Sequence, residues 1–240
     1  QASFMQNRSV FCAGLCNIDA IAYVDEAVLA DFRLVKGGTK QVDLKTLETL
    51  YKKLEMTAQT PGGCAANTAC AMAALSANTA EKPEVVFIGK TGDDVLGKQF
   101  HQSLTPYEIT HSTSPQPSVM TSLCLTLITP DKDRSFVFFA DTASWFLTPD
   151  DFTACPFSAP CIFYIESYLL QMRGGEQGSN LLEYVLQQAQ QNPQSITALN
   201  INDIDLVHQF KDRLHKHLNQ TGIIFGNRQE YAALFGAAYG

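Results

Sequence analysis

Five short runs in this chain are apolar at nearly every position, and they constrain its fold more than any other feature: Val10–Leu15, Val85–Ile88, Cys161–Ile165, Ile196–Leu199 and Ile223–Phe225. A strand with one wet face alternates apolar and polar residues, whereas a strand covered on both faces does not need to. Between the runs lie segments with helical spacing. Leu44, Leu47, Leu50, Tyr51 and Leu54 fall on one helical face, with Asp43 placed as N-cap. Ala65–Leu75, Asp94–Leu104, Asn180–Gln191, Asp205–Leu218 and Arg228–Phe235 are the other predicted helices. Strands alternating with helices predict right-handed βαβ units around a mainly parallel sheet.

One region breaks the alternation. Ser122–Thr129 and Ser135–Ala140 are strand-like and are joined by Pro130-Asp131-Lys132-Asp133-Arg134, which predicts an antiparallel hairpin. Ala20–Val24 is a further strand candidate, and these pieces predict a small sheet beside the main one. Pro115-Gln116-Pro117 reads as a loop, and Arg173–Ser179, with Gly174, Gly175 and Gly178, reads as a flexible connection.

The 240 residues suit one large α/β domain or two small ones. With 45% hydrophobic residues the chain can build a sizeable core. Its formal charge of −7 and the lack of any Lys/Arg run argue against a nucleic-acid partner. No apolar stretch approaches the ~18 residues of a membrane span. Val10–Val24 is interrupted by Asn17 and Asp19 and lacks the basic start of a signal peptide. The seven cysteines contain no C-x-x-C pair, so they are expected to be small core residues in a reducing compartment rather than a zinc or disulfide framework. A cytoplasmic protein is the expectation. The chain begins at Gln1, and its first few residues are expected to be processed or foreign to the native start.

Polar residues gather where the apolar runs end. Asp19 follows the first run, and a carboxylate at the C-terminal end of a sheet strand is placed where open α/β folds bind ligands; it could equally cap a loop. Glu166 follows the run Cys161–Ile165 in the same manner, and two such carboxylates suit a polyhydroxylated ligand. Gly62-Gly63 leads into a small-residue helix with Asn67 in its first turn, an arrangement that serves close backbone approach to a ligand or plain turn geometry. Gly89-Lys90-Thr91-Gly92-Asp93-Asp94-Val95-Leu96-Gly97 leaves a buried strand and enters a helix that Asp93 or Asp94 could cap. It is not a Walker loop, because Glu84 stands where that loop needs its first glycine. Asn227 and Glu230 are three apart at a helix start, which is also the spacing of a capping box. The five histidines form no metal-ligand set, and no G-x-S-x-G elbow occurs.

Taken in order, these clusters resemble the ribokinase-like (PfkB) family of carbohydrate and nucleoside kinases. Gly14 to Asp19, then Gly62-Gly63 with Asn67, is similar to the family's substrate site. Gly89 to Gly97 is similar to its G-x-x-G-x-D-x-x-G stretch, and Asn227-Arg228-Gln229-Glu230 to its N-x-x-E motif. The resemblance runs from about residue 9 to the C-terminus. It implies a three-layer α/β/α, Rossmann-like core, a single domain over 1–240, and a small β-sheet lid from about 19–42 and 110–142. It implies phosphate transfer from ATP, with Mg2+, to a hydroxyl of a sugar or nucleoside. Asp19, Gly62, Gly63, Asn67 and Glu166 would then hold the substrate, with Arg134 reaching in from the lid. Asn227 and Glu230 would organise the phosphates, Glu230 meeting the metal through water. The Asp19-to-Gly62 spacing and the Asp133-Arg134-Ser135 hairpin look more like the adenosine kinase and general sugar kinase branch than like ribokinase proper. An open lid edge would also invite pairing of two copies.

The sequence departs from the family in one respect. The family's later G-A-G-D motif, which carries the general base and the anion hole, occurs nowhere in these residues. The base is therefore expected beyond Gly240, and these residues alone are expected to present a substrate half-site without efficient catalysis. A truncated or non-catalytic homologue that only binds a sugar or nucleoside is the alternative. A Rossmann oxidoreductase would need G-x-G-x-x-G after the first strand, where Gly14-Leu15-Cys16-Asn17 stands instead.

Overall fold

The computed structural model describes residues 8–80, 82–174 and 179–236, so part of the expected connection at 173–179 lies outside the described residues. The chain runs β1 (Ser9–Ala13), β2 (Asn17–Tyr23), α1 (Glu26–Asp31), β3 (Thr39–Gln41), α2 (Leu44–Lys53), β4 (Ala58–Gly62), α3 (Cys64–Ser76), β5 (Val85–Ile88), α4 (Val95–Leu104) and β6 (Thr110–His111). It continues through β7 (Ser122–Ile128), β8 (Arg134–Phe138), β9 (Cys161–Glu166), α5 (Leu181–Ala189), β10 (Ile196–Asn200), α6 (Ile204–Leu218), β11 (Ile223–Phe225) and α7 (Arg228–Phe235).

All five apolar runs become strands of one parallel sheet, ordered β11-β10-β9-β1-β5-β6. Their apolar character follows from being covered twice. Val10 and Cys12 of β1 join a core with Ala65, Ala69 and Ala73 of α3 and Phe100 of α4. Phe11 and Ala13 point the other way, toward Leu182, Val185 and Leu186 of α5 and Leu214 of α6. Phe11 stacks on Phe163 of β9 with centroids 5.5 Å apart. Each Val, Leu or Phe among these, fully buried, contributes about 1.5–3 kcal/mol. The expected three layers are thus present. At the outer strand, Ile223 and Phe225 stay about half exposed.

The lid is larger than expected. It is a five-stranded mixed sheet ordered β3-β8-β7-β2-β4, built from residues 17–62 and 122–138. Thr110–His111, assigned to the lid from the sequence, pairs instead with β5 in the main sheet. The β7–β8 hairpin is antiparallel as predicted. Strand β4, with Pro61 inside it, is an edge strand, the position where a missing N–H is tolerated. Asp19 does not sit in a loop after β1. It lies within β2, where Ile18, Ala20 and Ala22 are buried and Asn17, Asp19 and Ile21 face the other side. The buried side packs on Leu29 of α1 and on Leu47 and Leu50 of α2, so these helices back the lid rather than the main sheet. Cys12, Cys16, Cys155 and Cys161 are buried as core residues, while Cys64 is exposed. Among the described residues, no helix is long and apolar enough to cross a membrane.

Candidate active site

In the main sheet, successive strands step from β1 to β5 and β6 on one side and to β9, β10 and β11 on the other. The order reverses between β1 and β9, so the connections leaving their C-terminal ends diverge and open a crevice. The lid, which follows β1 directly, covers that crevice. A cleft of about 490 Å³ lies between them. Leu15 after β1, Tyr168 and Gln171 after β9, and Asp203 after β10 form one wall, and Cys124, Phe136 and Phe138 of the lid form the other. Trp145 stands edge-on to Tyr168, with centroids 6.2 Å apart. Aromatic walls with a few polar groups suit a small organic ligand.

Asp19 is directly opposite Cys124 in the β2–β7 register, so its side chain projects to the cleft side of the lid. Its Oδ1 accepts a 2.6 Å hydrogen bond from Nδ2 of Asn17. Partial burial pushes its carboxyl above the usual range, opposed by the Asn17 bond. Gly62 lies at the end of β4 beside it, and a Cβ there would collide with Oδ2 of Asp19. Gly63 adopts φ +99°, and a Cβ there would strike the carbonyl of Leu15. The glycine pair therefore has two separate tasks, room for a carboxylate and a left-handed entry into α3. Asn67 sits one turn into α3 on its exposed side.

Glu166 is placed differently from the substrate-facing carboxylate expected. It is 1% exposed. Its Oε2 accepts from the amide of Leu15 at 3.0 Å and its Oε1 from the amide of Ala65 at 2.6 Å. Gly14 approaches so closely that a Cβ would overlap the carboxyl group. Burial pushes this carboxyl up to about 7, against the pull of the Leu15, Ala65 and Cys64 amides. Its oxygens are occupied by the chain's own backbone.

Arg134 is also displaced from the expected place. It opposes Ile128, which opposes Tyr23, four residues along β2 from Asp19. That is roughly 13 Å of strand, and Arg134 is exposed at the far end of the hairpin. Asn227 and Glu230 form a capping box at the start of α7, beyond the C-terminal end of β11. The Asn227 amide donates to Oε2 of Glu230 at 2.8 Å, Asn227 Nδ2 donates to Oε1 at 2.9 Å, and the Glu230 amide donates to Oδ1 of Asn227 at 2.9 Å.

The stretch Gly89–Gly97 fastens the lid to the core. Asp94 caps α4 through the Gly97 amide at 2.7 Å and also accepts from the amide and Oγ1 of Thr121, each at 2.7 Å, just before β7. The Gly92 amide donates to Oγ1 of Thr121 at 2.9 Å. A Cβ at Gly92 would strike the Val119 carbonyl, and one at Gly97 the Gly92 carbonyl. Lys90 forms a 2.8 Å ion pair with Asp151, both largely buried. Sequence reasoning missed Asn17, Tyr168, Asp203 and Ser144. Only the alternation of Ser122 and Cys124 with the buried Leu123 and Leu125 signalled which lid residues face the cleft.

A three-layer α/β/α core with a strand lid over its switch point is the architecture of several solved kinases. The structure is similar to the adenosine kinase from Sinorhizobium meliloti, with a TM-score of 0.80 at 24% identity, covering 97% of this chain and 68% of that one. It is similar to a probable sugar kinase protein from Rhizobium etli CFN 42, with a TM-score of 0.79 at 23% identity, covering 96% of this chain and 68% of that one. It is also similar to Anopheles gambiae adenosine kinase in complex with P1,P4-di(adenosine-5) tetraphosphate, with a TM-score of 0.78 at 16% identity, covering 96% of this chain and 70% of that one. At these identities the likeness establishes the fold. The family is established separately: the model of the pfkB family carbohydrate kinase matches residues 7–239, and the chain belongs to that family.

Proposed function

We propose that this protein transfers a phosphoryl group from ATP to a hydroxyl of a sugar or nucleoside, in the manner of the adenosine kinase and sugar kinase branch. The observation that carries this reading is Asn17 lining the aromatic-walled cleft at the switch point, with the carboxylate of Asp19 bonded to it and Gly62 beside that carboxylate. A carboxylate held by one amide keeps acceptor capacity for substrate hydroxyls. Aromatic walls accept the apolar face of a sugar ring or a nucleobase. Gly63 and Asn67, at the start of α3, would border the same ligand. The ATP assignment is supported by family membership and by the dinucleotide polyphosphate in the Anopheles enzyme.

The residues present fit a hydrated Mg2+ near the phosphates. Each carboxylate oxygen of Glu230 is bonded once by Asn227 and retains a lone pair for a water, which matches a cation that keeps most of its waters. Magnesium, when bound, neutralises charge on the phosphates. The lid excludes water from the transfer. Neither Glu166 nor Glu230 is suited to take the hydroxyl proton, because backbone amides already hold both. The seven free thiols suit a reducing compartment and hence a cytoplasmic location.

The test is incubation with Mg-ATP and, separately, ribose, fructose, adenosine and guanosine, with phosphorylated product detected by mass spectrometry. The expected result is one phosphorylated class, with kcat/KM about 10- to 100-fold lower in Asp19→Ala, as loss of charge-assisted hydrogen bonds implies. Binding of a sugar or nucleoside without product supports the second reading, a binding homologue. Neither binding nor product contradicts both.

A further inference from the structure

We propose that Glu166 is a positioning residue rather than a substrate contact: from the core it holds two of the chain crossings that hinge the lid, and so sets how far the cleft is open. The inference rests on reading the cleft as the substrate site.

The chain passes between main sheet and lid four times, at residues 14–16, 62–63, 120–122 and 140–144. Glu166, the last residue of β9, binds the amide of Leu15 on the first crossing and the amide of Ala65 just after the second. The close contact with Gly14 leaves no room for the first crossing to slide. Ser144, itself 1% exposed, lies on the fourth crossing. Its Oγ accepts from the amide of Cys16 at 3.1 Å and from Oγ of Ser122 at 3.2 Å, which ties in the first and third. All four crossings therefore meet at two buried side chains, and Glu166 is the one anchored in the main sheet.

A carboxylate suits this position because, when ionised, it only accepts hydrogen bonds. Burial opposes that charge more than the amides support it, so the buried arrangement favours the protonated carboxyl, and ionisation favours a more hydrated arrangement in which the two crossings loosen together. The titratable groups facing it are the thiols of Cys12 on β1, Cys16 on the first crossing and Cys64 on α3, with the phenols of Tyr164 on β9 and Tyr168 just after it. Burial pushes all five above their ordinary values, so they are neutral through the physiological range. Glu166, held at about 7, is the group among them that changes charge there.

The molecule carries its own reporter. Trp145, the single tryptophan, follows Ser144 and stands edge-on to Tyr168, two residues from Glu166. Its emission is to be recorded on the full chain, without ligand, from about pH 5.5 to 8.5, in wild type and Glu166→Gln. The expected result is a sigmoidal step with its midpoint near 7 in wild type and no step in the variant. Hydrogen exchange on the wild type alone covers the case in which the variant does not fold. Protection of the Leu15 and Ala65 amides, corrected for intrinsic exchange, should fall together as the pH rises through the same midpoint. A step that persists in Glu166→Gln, a flat wild-type emission profile, or independent protection of the two amides overturns the proposal. No substrate enters either experiment, so such a failure leaves the proposed kinase function standing.

Discussion

Single side chains at the mouth of α3 divide the work between binding and stability. Gly63 occupies the left-handed region, so Gly63→Ala should cost roughly 1–3 kcal/mol, read from urea unfolding. Gly62→Ala has ordinary backbone demands but pushes on Asp19, so its effect should appear in ligand affinity more than in stability. Glu166 gives a pH signature with a definite sign. Its carboxyl has an ordinary value of 4.5 and stands at about 7 in the folded protein. Between those values the unfolded chain has lost the proton that the folded chain keeps, so unfolding releases a proton and stability falls as pH rises. The contribution is present below 4.5 and is lost by about pH 7. It amounts to something on the order of 3 kcal/mol. Comparing urea midpoints of wild type and Glu166→Gln across pH 4.5–8 should show the wild-type slope in that window and a flatter line in the variant.

At the level of elements, Asp94 links α4 to the strand that enters the lid. It makes one cap bond and two bonds to Thr121, so Asp94→Ala should cost about 2–3 kcal/mol in chemical unfolding. The same cost with an intact Thr121 amide bond, seen as unchanged exchange at Thr121, would contradict the link. The main-sheet strands were legible because burial on both faces leaves a continuous apolar run, and the longer helices because their period and caps agree. Asp43, Asp94 and Asn180 each cap a helix at or beside the position read from the sequence. Strands β3, β4 and β6 were not legible. Two or three residues carry no period, and β4 contains Pro61 and Gly62, which mark a turn in isolation and are tolerated only because that strand lies at an edge. Asp19 reads from the sequence only as a carboxylate just past the first strand, for a ligand or a loop cap, because the alternation of β2 becomes plain only once it is paired with β7. Glu166 and Arg134 were misplaced for a related reason. Motif order fixes where a residue falls along the chain, but only strand register and backbone donors decide what its side chain meets.

For the molecule as a whole, we propose that lid and core enclose a site for a sugar or nucleoside, with Asp19 as its polar anchor. A thermal-shift screen of the intact chain against ribose, fructose, adenosine and guanosine, with and without Mg-ATP, tests it most directly. A ligand present at 100 times its Kd stabilises the folded state by about 2.7 kcal/mol. For a chain of this size that raises Tm by about 5–10 °C. The expected result is such a shift with one of the two ligand classes and its loss in Asp19→Ala with the unliganded Tm nearly unchanged. A shift of equal size in wild type and Asp19→Ala, or none with any of these ligands, would contradict it.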